Sequence, residues 1–344
     1  MTGRHTRSLA ELRQADAAQF GGKSATLGEL ISAEIPVPPG FAVSTSAFRE
    51  FVTGAGLEGT IRDALSRVSA GDVDAVGAAS HTISEAMRFA PVPDSVREEI
   101  AHRYGKLREG EPAVAVRSSA LGEDSQDATF AGQQETYLWV RGADHVCDAV
   151  RDCWVSLFSP PAISYRARLG DAAEEPAMGV TVQLMVDAEV SGVMFTCNPV
   201  SGDPSMVAVN ASWGLGLAVV GGEVTPDDYL VSKVTREVVR EHVHSKHHEY
   251  VPDPGGRGAV RVEVHSERRD APCLDEKRLS ALVDVGRRVE RYFGSHQDIE
   301  WAIARADGEL YVVQSRPVTA VPKQETKPQP KSAIDLVMSK FGAK

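Results

Sequence analysis

The sequence predicts a mixed α/β (α+β) protein, and three observations carry that expectation. Short β-branched and apolar runs at 114–116 and from Met178 to the joint at Asp187 read as buried strands. Stretches of helical periodicity lie elsewhere in the chain, such as Leu279, Leu282, Val283 and Val289 near its end. Last comes a strand, a turn at Ala306-Asp307-Gly308 and a return strand, filling residues 297–316.

Composition narrows the function classes. A chain of 344 residues with ordinary apolar and charged fractions can hold one large domain or two modest ones. A net charge of -11 and a pI near 5.4 argue against a broad nucleic-acid or anionic-membrane surface, so any anion site must be a local basic pocket. Four cysteines without CxxC spacing fit reduced core thiols better than disulfides or a zinc site. The N-terminus lacks an apolar signal segment and no run reaches transmembrane length, so a cytoplasmic location is expected.

In chain order, Gly21 and Gly22 precede a helix through Leu27, Leu30 and Ile31. Glycines there admit backbone N–H groups to an anion, and Lys23 adds charge; a simple cap with a solvated lysine is the plainer alternative. Residues 35–43 read as a turn and short strand, followed by a helix capped near Ser44 to Ser46. Residues 57–108 are helical and amphipathic, broken at Pro91 and Pro93. The strand 114–116 is expected to deliver Arg117, Ser118 and Ser119 at its C-terminal end. A guanidinium fork beside hydroxyls suits a multi-oxygen anion. A further strand, 135–140, and a helical stretch, 144–169, broken at Pro160, follow.

Residues 178–199 read as two strands joined near Asp187. Gln183 inside the first needs a partner, either nearby backbone or a purine edge. His242, His244, His247 and His248 form the sole histidine cluster and are read as a solvated loop rather than a metal site. In the C-terminal hairpin, a three-residue loop with Gly308 left-handed pairs Arg305 with Glu309. Glu300 then lies across from Gln314, and Asp298 across from Arg316. Cross-strand neighbours sit close enough for a carboxylate and an amide oxygen to share one hard cation.

GGKSATLGEL, VPPGFAVSTSAF, AVRSSALGEDS, FAGQQETYL, SGVMFTCNPVSGD, NASWGLG, VTPDDY and DIEWA…VVQSRP together resemble the nucleotide-binding domain of the phosphoenolpyruvate synthase, pyruvate phosphate dikinase and rifampin phosphotransferase family. The likeness runs from Gly21 to Val318 with the motifs in order. It implies an ATP-grasp fold, two subdomains closing on Mg-ATP, divided into residues 1–185 and 186–320. By the same resemblance, Lys23, Arg117 and Ser118 face phosphate, and a covering loop spans 121–132 with Gly132 at its end and Thr136 just beyond. Gln183, Val186 and Glu189 then contact the nucleoside. Glu300 and Gln314 hold Mg2+, and Arg316 joins Arg117 at the reacting phosphoryl group.

In that family ATP gives AMP and phosphate, and its β-phosphoryl group passes to a histidine on another domain. None of the ten histidines here sits in the Gly-Gly-x-x-x-His setting of that carrier, which implies a partner protein or further domains. Relatives usually carry Gly-Leu-Gly-Glu where this chain has Gly214-Leu215-Gly216-Leu217. Residues 321–344 read as a proline-rich linker and a short amphipathic segment suited to docking. A self-contained ATP-grasp ligase or kinase, or a non-catalytic nucleotide-binding module, are the alternatives.

Overall fold

The computed structural model describes residues 4–120, 135–169, 176–256 and 258–318. The first sheet is built from β1 (Thr6–Ser8), β2 (Gly40–Val43), β3 (Val114–Ala120), β4 (Thr136–Val140) and β5 (Met178–Leu184), in the order β1-β2-β5-β3-β4. The second contains β6 (Ala188–Phe195), β7 (Met206–Trp213), β8 (Asp227–Ser232) and β9 (Val238–His242). After a separate hairpin of β10 (His248–Pro252) and β11 (Ala259–Glu263), it is completed by β12 (Gln297–Ala304) and β13 (Leu310–Pro317). Its order is β13-β12-β6-β7-β8-β9.

Every strand pairing within these sheets is antiparallel, which places the protein in the α+β form of the expected class. Arg117 is therefore not delivered by a parallel strand end. β3 runs seven residues, past Arg117 to Ala120, because Ser118 and Ser119 pair with β5 as well as the apolar residues before them.

The helices bury the stripes their periodicity marks. Helices Thr45–Gly54, Val73–Phe89, Asp94–Gly105 and Ala143–Ser156 cover the first sheet, with Phe51 stacked on Trp154 at 5.2 Å between ring centroids. On the second sheet, Leu279, Leu282, Val283 and Val289 of helix Glu276–Phe293 are all buried, each worth about 1.5–3 kcal/mol. Asp275 caps that helix by accepting from Arg278 N–H, and Gly294 ends it in a left-handed conformation. Leu9, Leu12, Leu27 and Leu30 belong to this second core although they come from the N-terminus. Helix Gly22–Ser32 thus packs on β13 while also touching β3 and β5. All four cysteines are buried and free. The two sheets face one another across a cleft. No helix among the described residues is long and apolar enough to cross a membrane.

Candidate functional site

A cleft opens between the sheets, lined by Leu184, Met185 and Val186 where β5 passes to β6. Ala188, Leu215 and Ala302 give it an apolar wall, and Arg117, Thr136, Gln183 and Glu300 supply the polar groups.

Arg117 is central to it. β3 and β4 pair Arg117 with Thr136, so both side chains leave one face of the first sheet. From there Arg117 Nη2 donates to Glu300 Oε2 of the second sheet at 2.9 Å, and Nη1 donates to the Val313 carbonyl at 3.1 Å. The guanidinium is 14% exposed and the carboxylate 28%, so the pair is only partly screened by water. Arg117 Nε is buried without a partner among the described residues.

The register that sets Glu300 beside Gln314 arises differently from the expectation. Gly308 is left-handed at φ 73°, but Ala304 N–H donates to Glu309 O, so the loop has four residues and not three. Near the turn Ile303 faces Leu310 and Trp301 faces Val312, an offset that would have placed Glu300 opposite Val313. A β-bulge at Val313 absorbs one residue, after which Glu300 faces Gln314 and Asp298 faces Arg316. The bulged residue is the one whose carbonyl meets Arg117.

Lys23 is not a solvated lysine. It is 7% exposed, and its Nζ donates to the Ser118 carbonyl at 3.0 Å, one residue from Arg117. Helix Gly22–Ser32 can lie this close to β3 because its cap, Gly21, takes φ 84° and any side chain there would collide with Ser119. Ser118 is buried, and its hydroxyl has no partner among the described residues. Gln183 Nε2 donates to the Pro38 carbonyl at 3.3 Å while its side chain lines the cleft. Arg316 donates to Asp298 Oδ2 through Nε at 2.9 Å, and burial pushes the Asp298 carboxyl up despite the opposing pull of Arg316.

Glu189 does not line the cleft. β6 carries a bulge between Val190 and Ala188, which leaves Glu189 as the extra residue, and its carboxylate pairs with Arg278 at 2.7 Å. Gly132, the loop 121–132 and the tail 321–344 lie outside the described residues. Leu217, 38% exposed, and Val220 line the cleft on the side of β6 and β7. The histidines have local partners: Asp228 for His242, the Pro226 carbonyl for His244, Ser245 for His247 and Arg261 for His248.

Sequence reasoning missed one buried charge pair. Lys246 Nζ meets Asp227 Oδ1 at 2.5 Å with both side chains fully buried, and Asp227 also accepts from the His244 and Cys273 N–H groups. Asp227 is the first aspartate of VTPDDY, and its partner lies in the polar hairpin read as solvated.

Residues 17–335 match the model of the pyruvate phosphate dikinase AMP/ATP-binding domain. The chain belongs to that family. Among curated relatives, the probable phosphoenolpyruvate synthase of Methanocaldococcus jannaschii is 41% identical over 319 residues, covering 92% of this chain and 27% of that protein. The phosphoenolpyruvate synthase of Pyrococcus furiosus is 38% identical over 367 residues, covering 95% and 45%. That of Staphylothermus marinus, also named as probable, is 39% identical over 356 residues, covering 95% and 43%. This AMP/ATP-binding domain therefore spans between a quarter and a half of the length of these relatives.

The donor set suits a hard dication. Gln314 Oε1 is buried without a hydrogen-bond partner among the described residues, on the strand position facing the Glu300 carboxylate. One carboxylate and one amide oxygen beside a polyphosphate is the sparse protein set that Mg2+, keeping waters and phosphate oxygens, accepts. No group of three or more His, Cys, Asp or Glu able to hold a metal occurs among the described residues, so an all-protein cage is absent there.

Proposed function

We propose that this domain binds Mg-ATP in the cleft and serves as the ATP-cleaving part of a dikinase-type phosphotransferase. The β-phosphoryl group passes to a histidine on a separate domain or subunit, releasing AMP and inorganic phosphate, with water supplying the oxygen for the latter. The observation that carries this is the meeting of Arg117, from the first sheet, with Glu300, from the second, where Gln314 faces Glu300.

Base and ribose sit against Leu184, Met185 and Val186 with Gln183 at the edge. Lys23 and Arg117 offset the polyphosphate charge, and Thr136, the cross-strand partner of Arg117, lies on the same side. Glu300 and Gln314 hold Mg2+, which when bound screens the phosphate oxygens. Arg316 reaches the transferring oxygens from the next cross-strand pair. Positioning and charge stabilisation of this kind carry most of the catalysis in phosphoryl transfer. The parts are residues 1–185 and 186–320 hinged at 185–187, with 321–344 as linker and docking segment. The setting is the cytoplasm, in keeping with four free thiols.

One observation favours a second reading, a nucleotide-binding module without turnover. Leu217 lines the cleft where the resembled family usually carries glutamate. The discriminating experiment supplies Mg-ATP with and without a protein bearing the histidine domain and separates the nucleotides. AMP formed only with the partner supports the proposal. ADP as the product overturns it in favour of a self-contained kinase or ligase, and tight binding without turnover favours the module.

A further inference from the structure

We infer that Trp139 is a wedge between the two sheets that sets the opening of the cleft, a positioning residue for nucleotide binding. The inference rests on the cleft being the nucleotide site.

Three non-glycine residues among the described ones have positive φ. Glu34 and Arg236 are exposed, in connecting segments. Trp139, at φ 59°, is 6% exposed and lies inside a strand. A bulky side chain in left-handed backbone is a genuine outlier, held only where its surroundings over-determine it.

What the strained conformation achieves can be read from β4. Strict alternation would put Thr136 and Leu138 on one face, with Tyr137 and Trp139 on the other. Thr136 and Leu138 do line the cleft, and Tyr137 packs against the first core. Val140, however, also packs against that core, so the alternation slips by one residue between Leu138 and Val140. The pairing with β3 slips at the same place: Val114 faces Val140 while Val116 faces Tyr137. Trp139 is the extra residue of a β-bulge, turned from the first core toward the second sheet.

There it joins a small cluster with Ala188, Leu215 and Ala302. All three belong to the second half of the chain and all three line the cleft. Met185 and Val186, in the connection between the sheets, pack against the same cluster. Trp139 is thus the buried member that the first sheet contributes, inserted at the closed end where a small change in tilt moves the cleft mouth most. The small side chains of Ala188 and Ala302 pack with the indole in that cluster.

The test compares Trp139→Gly with the wild type. Glycine accepts the backbone and removes the wedge, so the chain folds but the cleft loses its spacer. Small-angle X-ray scattering without nucleotide is expected to show a changed radius of gyration, and calorimetry a Kd for Mg-ATP raised about tenfold or more as the binding-competent population falls. Trp139→Phe, which keeps a ring, should restore both to near wild type. Ile83→Ala, a cavity in the first core away from the hinge, should lower the urea midpoint and leave both readouts unchanged. Trp139→Asn serves if the glycine variant fails to fold, because asparagine tolerates left-handed backbone. An unchanged radius of gyration with Kd within twofold of wild type overturns the inference. A changed radius in a protein whose wild type binds no ATP leaves the wedge standing and overturns the nucleotide reading.

Discussion

Replacing Arg117 with methionine is the most direct challenge to the cleft. The guanidinium donates to Glu300 Oε2 at 2.9 Å, with side-chain exposures of 14% and 28%. Two unit charges about 4 Å apart at an effective dielectric of about 20 interact by about 4 kcal/mol, an upper figure for a polyphosphate oxygen at the same distance. Each 1.4 kcal/mol is about tenfold in affinity, so losing Arg117 should raise the Kd for Mg-ATP by on the order of 10²-fold. The uncovered Glu300 carboxylate then repels the anion and adds to the loss. Folding suffers less. Glu300 is open enough for water to resolvate it, which limits the cost to about 1–3 kcal/mol. Isothermal calorimetry at fixed Mg2+, with urea denaturation of the same samples, separates the two effects. A double-mutant cycle with Glu300→Gln should recover a coupling of about 1 kcal/mol or more in the nucleotide-free protein. Mg-ATP affinity within threefold of wild type in Arg117→Met would refute the reasoning.

Three other perturbations test separate parts of the structure. Gln314→Leu removes an amide oxygen that has no partner among the described residues, so stability should hold within about 0.5 kcal/mol while the Mg2+ needed for half-maximal ATP binding rises about tenfold; a Mg2+ titration superimposable on wild type would remove Gln314 from the metal set. Lys246→Met strands Asp227 in the second core and should cost about 3–5 kcal/mol by urea unfolding, whereas a loss under 1 kcal/mol would show the pair to be hydrated. Burial raises the Asp298 carboxyl above its ordinary value of 3.8, so the folded state holds that proton more tightly than the unfolded one. The Asp298 contribution to stability is therefore greatest below about pH 3.8 and declines as pH rises through the raised value. The stability of wild type relative to Asp298→Asn should fall across that interval, and a difference independent of pH would contradict the shift.

The sequence by itself was enough for the family and the order of the parts. Strands, helices and the cation-bearing and carboxylate-bearing stretches follow from local periodicity, and Glu300 does face Gln314. Tertiary structure decided where alternation breaks. The bulges at Val313, Glu189 and Trp139 redirect a carbonyl to Arg117, a carboxylate to Arg278 and an indole into the second sheet. A bulge is chosen by competition between packing on two faces and pairing with a strand distant in sequence, and a single strand's residues carry none of that information. Burial of Lys23 and the Lys246–Asp227 pair were hidden for the same reason. A charged side chain looks solvated until the fold brings a distant acceptor to it.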